Sequence, residues 1–194
     1  MQSAVPVGEG AMAAILGLED EQINSICETI SATGDGVVAA VNFNSPGQVV
    51  IAGHTAAVDA AIEKLKEAGA KRAMPLPVSA PFHTDLMKPA GERLADAIAE
   101  IAIASPSVPV VHNVHAQTET DPEKIRELLV RQIYSPVQWT GCMQAIAAGG
   151  ASSVVECGPG KVLSGLNRRI DKSLQSYSLE EPEALLAAKD ALQQ

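Results

Sequence analysis

His83, in the segment SAPFHTDLM (79–87), is the residue whose type and surroundings most suggest chemistry. Imidazole has an unperturbed pKa of about 6.5, so a histidine can accept and return a proton near neutral pH. Pro81 restricts the backbone just before it, and a helical stretch follows. The residues alone leave two interpretations open: His83 is a general base, or it caps the following helix or fills a crevice.

The other histidines and the cysteines do not form a site by their spacing. His112 and His115 in HNVH are predicted to point to opposite faces of a strand, and two ligands are too few for zinc. His54 is predicted to cap a helix or lie at the surface. The three cysteines are scattered and odd in number, which predicts neither a disulfide framework nor a metal site and fits a reducing cytoplasm. We therefore expect no metal and no cofactor.

Composition excludes several classes of protein. The chain has 194 residues, 46% of them hydrophobic, and a net charge of −9, which argues against non-specific nucleic-acid binding. No apolar run approaches about 18 residues, so no membrane span is expected. The first residues lack the pattern of a signal peptide.

The first part of the chain has the periodicity of a small α/β unit. Two amphipathic helices separate four apolar strands in the order β-α-β-β-α-β, which is typical of a ferredoxin-like fold with both helices on one face of an antiparallel sheet. Thr55 is a candidate N-cap of the second helix, and Gly69 marks its end. The predicted elements are strands at 11–18, 37–44, 48–54 and 71–78 and helices at 19–32 and 55–70.

The second part alternates helices with few strands. Asp121 is predicted to cap a helix that has Pro122 at its first position. Alternation of this kind favours a parallel sheet, but such a sheet is buried on both faces and usually has more strands, so we expect the missing ones in sequence that precedes Met1. The predicted elements are helices at 85–103, 121–134, 135–150, 159–170 and 181–194 and strands at 108–116, 152–158 and 177–179.

Four segments stand out in order along the chain: NFNSPGQVVIAG (42–53), VSAPFHTDLM (78–87), RQIYSPVQWT (131–140) and VECGPGKVLSGL (155–166). Together they resemble the malonyl-CoA:acyl carrier protein transacylase family. The resemblance implies an α/β fold in which a ferredoxin-like βαββαβ subdomain (residues 5–79) is inserted in an α/β-hydrolase-like acyltransferase subdomain, with residues 80–194 as its C-terminal part. It also implies a nucleophile elbow, Gly-His-Ser-Leu-Gly, yet the 194 residues contain no Gly-x-Ser-x-Gly. We therefore expect this sequence to be a C-terminal portion that is inactive and poorly stable alone.

The resemblance also implies roles for particular residues. His83 matches the family's catalytic histidine, and the backbone carbonyl of Gln132 would orient it, although the residues alone favour Gln132 as an ordinary exposed helix residue. Asn44 would line the acyl pocket, with Asn42 on the same face of its strand, unless it is simply a turn-forming Asn before Pro-Gly. Phe82, an aromatic residue just before the histidine, favours malonyl over methylmalonyl. One methyl group is worth only about 1–3 kcal/mol in an apolar pocket.

The implied reaction is transfer of malonyl from malonyl-CoA to the phosphopantetheine thiol of acyl carrier protein through an acyl-serine, in cytoplasmic fatty-acid biosynthesis. Acyl carrier proteins are acidic, so an acidic transferase needs a local basic surface. Candidates are Lys161, Arg168, Arg169 and Lys172, although cations near a helix C-terminus are also favoured by its dipole. Two alternatives stay open: an acyltransferase domain of a polyketide synthase, and a catalytically silent ferredoxin-like binding module.

Overall fold

The structure is a computed structural model that describes residues 1, 4–34, 36–78 and 80–192. Strands and helices alternate along these residues, as the periodicity predicts. The strands are β1 (Gly10–Leu16), β2 (Val38–Ser45), β3 (Gln48–His54), β4 (Arg72–Pro75), β5 (Val111–His112), β6 (Gln117–Thr118), β7 (Ser153–Glu156) and β8 (Gln175–Ser178). The helices are α1 (Asp20–Ala32), α2 (Thr55–Glu67), α3 (Lys88–Ile98), α4 (Pro122–Arg131), α5 (Trp139–Ala148), α6 (Val162–Ile170) and α7 (Pro182–Leu192).

The first four strands form one antiparallel sheet in the order β2-β3-β1-β4. The apolar stripes of α1 and α2 cover one face of it, where Ile15, Ile23, Ile51 and Leu65 are fully buried. The predicted ferredoxin-like order and the position of both helices on one face are confirmed. Fifteen buried residues, mostly aliphatic, form this core, in a chain in which only 3% of the residues are aromatic.

The other face of the sheet carries a smaller apolar cluster that includes Met12, Val41 and Val50. Phe82 packs against this cluster and also against Met87 and its neighbours in a third cluster. One side chain thus joins the sheet to the start of α3. The residue before His83 is therefore held from two sides.

Two register shifts interrupt β2. Ala40 pairs with Ile51 and Asn42 with Val50, which leaves an extra residue between them, and a second shift falls between Phe43 and Ser45. A bulge breaks the simple alternation of side chains along a strand. Asn42 and Phe43 keep consecutive partners between the two shifts, and Asn44 has no cross-strand partner, so a shared face for Asn42 and Asn44 stays a prediction.

The second part of the chain holds short strands in two pairs. The strand predicted at 108–116 is wrong: only Val111–His112 is extended, because residues 113–116 turn back to form the β5-β6 hairpin. Ala116 closes that turn with a φ of 56° and donates its N–H to the His112 carbonyl at 2.9 Å. Strands β7 and β8 are parallel, which confirms the expected parallel pairing and the last strand.

The ends of several helices differ from prediction. Helix α5 begins at Trp139 rather than at residue 135, because the main chain of Val137 is bonded to β2. A short 3-10 helix (Asp85–Met87) precedes α3, which ends at Ile98 rather than near residue 103. Thr55 is the first residue of α2 and donates its hydroxyl to the Gly8 carbonyl at 2.8 Å, so its prediction as N-cap is wrong. The cap at Asp121 is confirmed, because its carboxylate accepts the Glu123 N–H at 2.9 Å. Gly69, with a φ of 99°, follows the end of α2 as predicted.

The division of the chain between residues 79 and 80 stays a prediction. Ser79 and residues 193–194, at the stated limits of the two parts, lie outside the described residues, as does Asp35 in the TGDG turn. Within the part of the chain that the structure describes, the helices lack the length and apolar character needed to cross a membrane.

Candidate active site

The ring of His83 meets the main chain of Gln132. His83 Nδ1 lies 2.9 Å from the Gln132 carbonyl oxygen, although the two residues are 49 positions apart. A carbonyl oxygen only accepts hydrogen bonds, so Nδ1 must carry the hydrogen, and Nε2 is then the nitrogen with a free lone pair. This arrangement leaves Nε2 able to take a proton from a neighbouring group.

The backbone of His83 is held in an uncommon conformation. Its φ of 63° lies in the left-handed region, which costs an ordinary residue about 1–2 kcal/mol. The residues around it are buried: Pro81 and Met87 completely, and Thr84 to all but 3%. Strain of this kind persists only where the surroundings impose it, and it clusters at functional sites.

Gln132 lies at the C-terminal end of α4 and is half-buried, so it is not the exposed helix residue that its sequence alone favours. Its N–H donates to the Leu128 carbonyl at 2.9 Å, and its side-chain Nε2 donates to the Ser135 carbonyl at 3.1 Å. The N–H bond to Leu128 therefore holds the carbonyl that faces His83 at the helix end, and the side-chain bond joins Gln132 to the following turn.

Helices α3 and α4 bring the two residues together through a close contact. A Cβ atom on Gly91 of α3 would lie only 2.8 Å from the ring of Tyr134, two residues beyond Gln132. Glycine is therefore needed for this approach of α3 to the end of α4. Since α3 follows His83 in the chain, this contact holds the segment after His83 close to the end of α4.

The segment after Gln132 is also attached to the small sheet. Phe43 donates its N–H to the Val137 carbonyl at 2.9 Å, and Val137 donates to the Val41 carbonyl at 2.8 Å. The Thr140 hydroxyl donates to the Phe43 carbonyl at 3.1 Å. Asn44 is half-buried beside this junction, but no hydrogen bond joins it to His83 among the described residues. The structure thus brings His83, Gln132 and Phe82 together and places Asn44 on a neighbouring element.

The ECGPGK segment (156–161) forms a tight connection from β7 to α6. Glu156 accepts the N–H of Leu163 at 3.0 Å and both the N–H and hydroxyl of Ser164 at 2.8 Å, which satisfies free donors at the start of α6. Desolvation acts to raise the pKa of the Glu156 carboxyl, but these hydrogen bonds outweigh it and hold the pKa below its usual value. The segment caps a helix.

The predicted basic positions are all exposed. Lys161 precedes α6, Arg168 and Arg169 lie in its last turn, and Lys172 follows it. Arg169 donates to the Gln48 side chain at 2.7 Å and so links α6 to the first residue of β3.

The two histidines of HNVH are neighbours, contrary to the prediction that they point to opposite faces. The turn at residues 113–116 brings their ring centres to 6.1 Å, edge to face. Desolvation, and then the nearby His115, lower the pKa of His112. Across residues 1, 4–34, 36–78 and 80–192, no group of three or more His, Cys, Asp or Glu could hold a metal.

Thr84 and Val137 were not singled out from the sequence. Thr84 donates its buried hydroxyl to the Pro81 carbonyl at 2.7 Å, and Val137 acts through its main chain. For Thr84, the sequence offered one indication, a threonine directly after the candidate base. A main-chain contact leaves no signal in residue type.

Comparison with known proteins places the whole chain in one family. The model of the acyl transferase domain family matches residues 1–187. The malonyl CoA-acyl carrier protein transacylase of Salmonella typhimurium is 56% identical over 188 residues, which cover 97% of this chain and 60% of that protein. The chain therefore spans about three fifths of the length of such relatives.

Solved structures of acyltransferases have the same fold as this chain over nearly all of its length. The crystal structure of an acyl-carrier-protein S-malonyltransferase from Burkholderia pseudomallei matches with a TM-score of 0.94 and 52% identity, covering 98% of this chain and 61% of that one. A malonyl-transacylase in complex with its type II polyketide synthase acyl-carrier protein matches with a TM-score of 0.94 and 45% identity, covering 98% and 60%. The chain has the fold of part of an acyltransferase, and it belongs to the acyl transferase domain family.

Proposed function

We propose that these 194 residues supply the general base of a malonyl-CoA:acyl carrier protein transacylase acting in the cytoplasm. The observation that carries the proposal is the pairing of His83 Nδ1 with the Gln132 carbonyl, on a backbone held at a φ of 63°. A hydrogen bond at Nδ1 fixes the ring and leaves the Nε2 lone pair available to accept a proton, as base catalysis requires. Residues 5–79 and 80–194 are proposed as the small subdomain and part of the large one.

The chemistry is acyl transfer between two thioesters. A serine hydroxyl is a weak nucleophile near neutral pH and needs an adjacent base. His83 Nε2 takes the serine proton as the oxygen attacks the malonyl thioester, and CoA leaves as its thiol on receiving that proton. The carrier's phosphopantetheine thiol then attacks the acyl-serine, giving its proton to Nε2, and the serine regains a proton as it leaves. The 194 residues contain no Gly-x-Ser-x-Gly, so the serine would come from residues beyond them.

Two further residues would shape the acyl pocket. Phe82 is fixed by packing against the sheet and against α3, so its ring presents a constant wall beside His83. A fixed ring leaves less room for an α-methyl group and favours malonyl. Asn44 would contribute a polar contact from the bulged end of β2.

The carrier protein would dock beside α6. Lys161, Arg168 and Lys172 are exposed cations in a chain whose net charge is −9, so they offer an acidic partner a local favourable contact. Arg169 is partly engaged by Gln48 and would contribute less.

The test is malonyl transfer from radiolabelled malonyl-CoA by the full-length protein that contains these residues. We expect His83→Gln to lower kcat by about 10²–10⁴-fold. Gln132→Ala is the matched control: it keeps the carbonyl that faces His83 and loses only the side-chain bond to Ser135, so its rate should stay near that of the parent. Full activity in His83→Gln would contradict the proposal.

The 194-residue polypeptide alone is expected to transfer no malonyl, and the DNA upstream of Met1 is expected to encode Gly-His-Ser-Leu-Gly in frame. An in-frame stop codon there, together with an inactive polypeptide, would favour a silent binding module. Turnover by the 194 residues would show that the nucleophile is assigned wrongly.

A second candidate is transfer to a polyketide synthase carrier. The relative that is solved with a type II polyketide synthase carrier protein is 45% identical, so the same base could serve either pathway. Parallel assays with a fatty-acid carrier and a polyketide carrier would separate the two, by which carrier gives the larger kcat/KM.

A further inference from the structure

We propose that Thr84 is a positioning residue for His83, an inference that rests on the proposed function. The Thr84 side chain is 3% exposed, and its hydroxyl donates to the Pro81 carbonyl at 2.7 Å, which closes a loop over residues 81–84. His83 lies inside that loop. The bond spans the residue with the left-handed backbone, so it acts on the conformation that aims the ring.

Both ends of the loop are fixed by packing. Pro81 is fully buried against Gly10, where an added Cβ would lie 2.3 Å from the proline Cδ. Phe82 donates its N–H to the Ala80 carbonyl at 3.0 Å. These contacts fix Pro81 and Phe82, and they do not involve the backbone of His83 itself.

The chain after His83 is fixed as well. Thr84 has an extended backbone (φ −107°, ψ 166°), and its carbonyl accepts the Met87 N–H at 2.9 Å at the start of the 3-10 helix. With both flanks fixed, the hydroxyl-to-carbonyl bond is the link that fixes their separation across His83. Without it, His83 can return to the ordinary negative-φ region, and the ring then swings away from the Gln132 carbonyl.

A purely structural role for Thr84 predicts a different result. Loss of a buried hydroxyl would then lower stability and leave the ring tautomer and the kinetics unchanged. Thr55 gives a matched control, because its hydroxyl also donates to a distant main-chain carbonyl, that of Gly8 at 2.8 Å, away from His83. Thr55→Val should lower stability alone.

The experiment compares Thr84→Val, Thr84→Ser and Thr55→Val in the full-length protein that contains these residues. Nitrogen NMR of labelled imidazole rings, with the His83 signals assigned from their loss in His83→Gln, reports which ring nitrogen carries the hydrogen. The parent and Thr84→Ser should show hydrogen on Nδ1 alone, and Thr84→Val should show both tautomers. Thr84→Ala serves as the hydroxyl-free variant should Thr84→Val fail to fold.

Transfer kinetics give the second readout. We expect Thr84→Val to lower kcat by about 10- to 100-fold with KM for malonyl-CoA nearly unchanged, since small misplacements of a catalytic group have effects of this size. Thr84→Ser should recover the rate. An unchanged His83 tautomer and unchanged kcat in the hydroxyl-free variant would overturn the proposal. If the tautomer shifts while His83→Gln has no effect on transfer, the positioning role stands and the proposed function fails.

Discussion

His83 shows how far a single residue can be interpreted before a structure is known. Its type and the Pro-Phe before it indicate a candidate base, but nothing in the sequence indicates a φ of 63°. That conformation depends on the burial of Pro81 and Thr84, which contacts from distant parts of the chain impose. The partner carbonyl was predicted through a family resemblance, because every residue has a carbonyl and its use leaves no mark on the side chain.

The three cysteines allow a test of burial at this scale. Cys27 is 2% exposed, and desolvation, followed by the nearby Glu28, raises the pKa of its thiol to about 12. Burial also raises the pKa of Cys142, whereas Cys157 is exposed. Since the thiolate is the reactive form, we expect one fast thiol with an aromatic disulfide reagent at pH 8 and two slow ones.

Cys157→Ser should remove the fast phase, and Cys142→Ala should leave it intact. Unfolding in urea should expose all three thiols. Rapid reaction of Cys27 in the native protein would contradict the burial described for α1.

Elements were predicted best where apolar residues recur regularly. The stripes of α1 and α2 and the strands of the small sheet follow from periodicity alone, since each buries one face. The strand prediction for 108–116 was wrong because the apolar residues of this segment lie on both sides of Asn113, where the chain turns. Helix α3 ends at Ile98, earlier than predicted. The apolar pattern continues to Ile101, but that residue is 54% exposed and does not belong to a buried helix face.

Glu156 caps α6 from the end of β7 and gives a prediction at the element scale. Glu156→Gln replaces a charged double acceptor with an amide that has one acceptor oxygen and one NH2 donor, so either the Leu163 or the Ser164 N–H loses its acceptor. We expect the free energy of unfolding to fall by about 1 kcal/mol at pH 7, as for loss of a helix cap. Urea denaturation of the full-length protein would measure it.

The stability difference between the parent and Glu156→Gln should depend on pH. The pKa of Glu156 is lowered in the folded state, so its stabilisation is fully present above the ordinary glutamate value of about 4.5 and is lost as the pH falls through the folded value. The difference between parent and variant should therefore shrink between pH 5 and pH 3. An equal difference at pH 7 and pH 3 would show that the charge is unimportant, and Glu181→Gln, on an exposed residue, serves as control.

At the scale of the whole molecule, the second part of the chain leaves apolar surface uncovered. Strands β7 and β8 form a two-stranded parallel sheet, a kind that is normally buried on both faces. Exposed apolar residues lie on the elements around it: Val155, Val162, Leu163, Leu185 and Leu186, which are 37–71% exposed. The small number of strands predicted for this part of the chain already indicated that its sheet would lack cover.

We expect the 194-residue polypeptide to self-associate. Light scattering during size-exclusion chromatography should show a mass that rises with concentration, because exposed apolar surface and open strand edges favour association. The double variant Val162→Lys/Leu186→Lys should shift the mass toward the monomer. Val7→Lys, which changes an isolated valine that is 79% exposed, should not. A monomer of constant mass with a sharp thermal melt would count against this expectation.

The junction between β2 and Val137 consists of main-chain groups: two N–H donors and two carbonyl acceptors shared by Val41, Phe43 and Val137. Main-chain hydrogen bonds do not depend on side-chain identity, so substitutions that respect the burial of Val41 should keep these two bonds, whereas the third bond needs the hydroxyl of Thr140. The small sheet is thus suited to exchange between related transferases as a cassette. A chimera that keeps the bulged geometry at residues 40–45 should hold the His83 imidazole in the parental orientation.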